Sequence, residues 1–150
     1  MSQHQFTDTE TKDEIEKLLG QTDHQTAVVW AADCAEHVLK NFEGLHPQDK
    51  RPRKAAQACR AWVAGTINVR EARSAAFDTH AAARMSGNEA AIAAARAAGQ
   101  AISTAHLFGH AIHASTYAVK SVAFASGFDA QAIAAERNWQ RDRLIELQKQ

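Results

Sequence analysis

The 150 residues carry 17 Lys and Arg against 17 Asp and Glu, for a formal net charge of zero, and 45% of them are hydrophobic. A chain of this length makes one domain and can bury a core without help from a disulfide or a metal. Balanced charge excludes the strong basic excess of a dedicated nucleic-acid binder, and the longest apolar stretch, Ala90 to Ala125, is too interrupted for a membrane span, with Arg96, Gln100, His106, His110, His113 and Lys120 inside it.

Alanine, about a fifth of the residues, has the best helix propensity and gives up no side-chain entropy on folding. The patterning predicts an all-α domain over 1–150, an array of about seven helices at roughly 8–19, 24–43, 52–64, 69–86, 89–106, 109–126 and 130–148. Thr7-x-x-Glu10 reads as a capping box for the first helix, which carries Ile15, Leu18 and Leu19 on one face. Asp23 caps the second, with Val28, Ala31, Ala35, Val38, Leu39 and Phe42 inward. After the loop at 44–49, Pro52 suits the first turn of the third. Asn68-x-x-Glu71 opens the fourth and Asn88 the fifth. One helix over 89–126 would be about 57 Å long, so a break is expected near Leu107–Gly109. Asp129 caps the last, which carries Ile133, Trp139, Leu144, Ile145 and Leu147. Gly20, Gly44, Gly65, Gly87 and Gly127 each follow a helix-like run, as C′ residues do. Trp30, Trp62, Phe77, Tyr117 and Trp139 are expected in the core.

Cys34 and Cys59 lie far apart in apolar helical stretches, where a free thiol acts as a small buried hydrophobe. With no basic and apolar leader over residues 1–8, a reduced cytoplasmic protein is expected. Charge is uneven along the chain. Residues 1–46 hold nine acids against three Lys/Arg (−6), and residues 47–150 hold eight against fourteen (+6). Such a dipole could guide a protein partner; the simpler reading is that the two halves attract each other.

The chemistry-bearing candidates are few. His106, His110 and His113, continued by Tyr117, Lys120 and Phe124, recur every three or four residues and would form one stripe on an unbroken helix, with His80 facing it. Asp33 and His37 are an i, i+4 pair. A divalent metal held by His37, His80, His106 and His110 is one reading, and a hydrogen-bonded polar seam with no cofactor is the other. No H-E-x-x-H, Glu-x-x-His or Cys/His finger spacing supports the metal. Lys50-Arg51-Pro52-Arg53-Lys54 places four cations at a helix start, against the helix dipole, so Arg51 or Arg53 should pair with Asp33, Glu36 or Asp49. Arg73, Arg84 and Arg96 are single charges expected to be solvated or to anchor neighbouring helices. Phosphate-loop, dinucleotide and nucleophile-elbow motifs are missing, so no catalytic residue is assigned.

Several runs in order resemble the Imm-5-like immunity proteins: Asp33-Cys34-Ala35-Glu36-His37-Val38-Leu39, Arg51-Pro52-Arg53-Lys54-Ala55, Ala61-Trp62-Val63-Ala64-Gly65, Glu71-Ala72-Arg73-Ser74-Ala75-Ala76 and His80-Ala81-Ala82-Ala83-Arg84. The similarity continues through Ala95-Arg96-Ala97-Ala98-Gly99-Gln100-Ala101, Thr104-Ala105-His106, His110-Ala111 and Tyr117-Ala118-Val119-Lys120, and covers about 26–125. Gln100 stands where that pattern often has His. The resemblance implies a helical bacterial domain that neutralises a toxin by binding it, and it implies no established catalytic residue. The candidate residues, for a polar seam or for contact with a partner or ligand, are Asp33, His37, Arg51, Arg53, Arg73, His80, Arg84, His106, His110, Tyr117 and Lys120. A metal-dependent helical enzyme or sensor, and a scaffold or homo-oligomer module, are the alternatives.

Overall fold

The computed structural model describes residues 6–150; residues 1–5, on which the expectation of no leader partly rests, lie outside the described residues. The helices are α1 (Thr11–Leu19), α2 (His24–Val38), α3 (Lys40–Glu43), α4 (Arg51–Val63), α5 (Val69–Met85), α6 (Glu89–Ser103), α7 (His110–Ser126) and α8 (Ala130–Gln148), and no strand occurs among the described residues. These are the expected seven, with the second divided at Leu39, where the amide bonds back to Glu36, three residues away rather than four. The expected break before residue 109 is present, so 89–126 is two helices.

Local chemistry sets most of the starts. Asp23, Asn88 and Asp129 accept from the amides of Thr26, Ala91 and Ala132, and Asn68 and Glu71 cap each other's backbone reciprocally. Each such cap is worth about 1 kcal/mol. The box expected at Thr7-x-x-Glu10 does not form: α1 starts at Thr11 with no side-chain cap, and the nearby carboxylate of Asp8 is drawn to Arg137 instead. Of the glycines expected at C′, only Gly65 (φ 78°) and Gly127 (φ 67°) take the left-handed conformation. Gly20 and Gly44 stay right-handed, because their helices fade through three-residue turns.

The buried middle of the array is α6, which packs against α2, α3, α4, α5 and α7. Ala91, Ala94, Ala95, Ala97, Ala98 and Ala101 are all inaccessible to solvent; with methyl side chains on nearly every side, neighbouring helices can close in on it. Beyond its first two residues, of which Glu89 is exposed and Ala90 half-buried, only a narrow strip through Ile92, Arg96, Gln100 and Ser103 stays half-open. At one end α8 packs on α7, α1 and α2, and Trp30 inside the junction donates its indole N–H to the Gln140 carbonyl at 2.8 Å. The inward residues expected of α2 are all buried.

Trp30 is core as expected, and Trp62, Tyr117 and Trp139 pack at its margin. Phe77 is not core: 71% of it is exposed. On α5 the packed side is taken by Ala72, Ala76, Thr79 and Ala83, and position 77 falls about 100° away from 76 around the helix. Both cysteines are free and buried, and burial pushes the Cys59 thiol up to about 12. Among the described residues no helix is long and apolar enough to cross a membrane.

Candidate functional site

The acidic and basic parts of the sequence do meet. Asp8 pairs with Arg137, Glu14 with Arg141, Asp33 with both Arg60 and Arg143, Glu36 with Arg60, and Glu43 with Arg53. Each joins an acid before residue 47 to a cation after it, so the −6 and +6 halves attract each other as expected. Partner choice differs in detail. Arg51 takes Asp49 at 2.7 Å, as expected, but Arg53 takes Glu43 at 2.6 Å, and Asp33 and Glu36 are held by Arg60 from the far end of α4. Asp33 therefore ties α2 to α4 and α8. Replacing it with Asn is expected to lower stability by about 1 kcal/mol, the scale of part-exposed pairs, read as a shift in the urea midpoint at constant slope.

His37 does not pair with Asp33. Its Nδ1–H donates to Glu136 at 2.8 Å, and its ring stacks on Trp139 with centroids 3.7 Å apart. Burial raises the Glu136 carboxyl, and the hydrogen bond and charge of His37 only partly offset it. A carboxyl raised in the fold favours folding below its unfolded value, about 4.3, and this contribution is lost as pH rises through the folded value. Glu136→Gln should accordingly gain on the parent as pH goes from 4 to 7, measured by denaturant unfolding at both pH values.

The arginines left over gather in one place. Among the described residues Arg51, Arg53, Arg60, Arg137, Arg141 and Arg143 are in ion pairs, whereas Arg70, Arg73 and Arg84 on α5 and Arg96 on α6 are in none. Arg73, Phe77, His80 and Arg84, spaced four, three and four apart, share one side of α5. His80 lies across α6 at Gly99, where an added Cβ would stand 2.5 Å from its Cε1. Its Nδ1 is buried with no hydrogen-bond partner among the described residues. Burial, with Arg96, Arg84 and His110 adding to it, holds its pKa below the ordinary value.

On the other flank His110 Nδ1 donates to Gln100 Oε1 at 2.6 Å. The His106, His110 and His113 rings follow one another at 6.0 and 6.3 Å, so the expected stripe survives although α7 begins only at His110. His110 is held below the usual imidazole range by burial, then by the charges of His106 and His113. Farther along, Lys120 lies over the Tyr117 and Phe6 rings at 5.2 and 5.9 Å, beside a cleft of about 350 Å³ that Arg96 also lines. The result is one face over α5, α6 and α7.

Of the eleven candidates, Arg73, His80, Arg84, His106, His110, Tyr117 and Lys120 lie on this face, while Asp33, His37, Arg51 and Arg53 serve ion pairs elsewhere. The four histidines of the metal reading are thus not brought together, and no group of three His, Cys, Asp or Glu among the described residues is placed to hold a metal ion. Sequence reasoning missed Phe77 and Arg96 as members of the face. The Arg73-Phe77-His80-Arg84 spacing was the available signal for Phe77; Arg96 depends on packing around α6.

The model of one family, Imm-5 like putative immunity protein, matches residues 17–147. The chain belongs to that family. This Imm-5-like chain is matched over nearly its whole length, beyond the 26–125 of the resemblance, and the match takes in nearly all of α8 but only the last turn of α1. Membership supports an immunity role in general terms. No curated protein and no solved structure matches the chain.

Proposed function

We propose that this protein neutralises a cognate toxin by binding it stoichiometrically, without catalysis and without a cofactor. The observation that carries the proposal is the family match over residues 17–147. The scaffold suits it. A densely packed helical array loses little freedom when its surface is covered, which limits the ordering cost of association. Its free buried thiols also suit a reduced cytoplasmic setting.

The test is co-expression with the protein encoded by the adjacent gene. Growth arrest caused by that protein is expected to be relieved by this chain, and the two are expected to co-purify. A toxic neighbour that neither binds this chain nor loses its toxicity would end the proposal.

A further inference from the structure

We infer that the α5–α6–α7 face is the surface that binds the partner, and that the partner presents an acidic protein surface with an apolar recess for Phe77. The inference rests on the toxin-binding reading and adds to it where contact is made and with what chemistry.

Three observations converge on this face. First, the arginines without ion pairs among the described residues are Arg70, Arg73, Arg84 and Arg96, all on α5 and α6, while every other arginine is matched to an acid. A guanidinium offers a planar fork of donors suited to carboxylates, so four unmatched ones on adjacent helices leave a large capacity for acidic groups. Secondly, the acids near them point elsewhere or lie at the margin. Glu71 and Asp78 sit on the opposite side of α5 from Arg73 and Arg84, Asp78 acting on Arg51, and Glu89 stands at the end of the strip beside the cleft. The imidazoles of His80, His106, His110 and His113 add no negative charge. Thirdly, Phe77 projects from the middle of the arginine row with 71% of its surface in water. An exposed aromatic ringed by arginines is the composition of interface hot spots.

Charge decides the kind of occupant. Most of the chain's acids in α1–α3 are already engaged internally, and zero net charge gives little long-range pull on a nucleic acid. A compact acidic protein surface is the better complement, with encounter speeded by opposite charge.

The experiment uses the full chain and the purified protein encoded by the adjacent gene. Arg73→Glu, Arg84→Glu and Arg96→Glu are combined; Phe77→Ala is made alone; and Glu10→Lys, Asp13→Lys and Glu16→Lys are combined as a control on and just before α1, where none of these acids is in an ion pair. Because no variant breaks an ion pair, circular dichroism and melting are expected to match the parent. The arginine reversal should weaken binding about 100-fold or more, Phe77→Ala about tenfold, and the control less than about threefold. A folded arginine reversal that binds like the parent overturns the inferred face and leaves the toxin-binding reading standing. A parent chain that does not bind overturns both. A 20-nucleotide poly(U) RNA that competes for the parent at physiological salt overturns the acidic-protein assignment.

Discussion

Arg137→Ala is expected to destabilise the fold by about 3–5 kcal/mol. The guanidinium is inaccessible to solvent. It donates to both carboxylate oxygens of Asp8 at 2.9 and 2.7 Å, to Ser115 and Thr116 at 2.9 and 2.8 Å, and to Gln140 Oε1 at 2.9 Å. Gln140 in turn donates to the Ser115 carbonyl, and its own carbonyl receives the Trp30 indole. Truncation strands several of these groups at once, and a buried polar group without a partner costs more than its hydrogen bond contributed. Chemical denaturation should show the loss as a lowered midpoint.

The same pair gives the fold an acid limit. Burial pulls the Asp8 carboxyl upward, but the hydrogen bond and charge of Arg137 outweigh it and hold Asp8 below the ordinary range. Stabilisation from a lowered carboxyl is complete above its unfolded value, about 3.9, and drains away as pH falls through the folded value. Arg137→Ala should therefore flatten stability against pH on the acid side.

Gly99→Ala is expected to cost about 2–3 kcal/mol, although alanine is the better helix former. The new Cβ would lie 2.5 Å from His80 Cε1 and 2.9 Å from both ring nitrogens, so the imidazole must leave its seat between α5 and α6. Adding His80→Ala should recover most of the loss, a coupling that a double-mutant cycle measures directly. Additive losses would mean that Gly99 matters for another reason.

These two sites mark where sequence reasoning stops. Caps at Asp23, Asn68, Asn88 and Asp129 were legible because cap and helix are neighbours in the chain. The inward face of α2 was legible because its apolar residues repeat at the helical period. Gly99 and His80 sit 19 positions apart on different helices, and nothing local marks a mid-helix glycine as the seat of an imidazole. Nothing in the sequence around Arg137 marks it as buried; only the packing of residues 6–9 against α7 and α8 shows what it holds. Charge is instructive in the same way. Attraction between the halves followed from counting, but the identity of the unmatched arginines depended on which partners lay within reach. Phe77 reads as core by residue type and turns outward because smaller alanines claim the packed side of α5.

The most direct test of the central claim is a titration of toxin activity with this chain. Activity should fall linearly and reach its floor at one equivalent, however long the mixture stands. Progressive loss of all toxin activity with a small fraction of an equivalent would contradict it, because that is turnover.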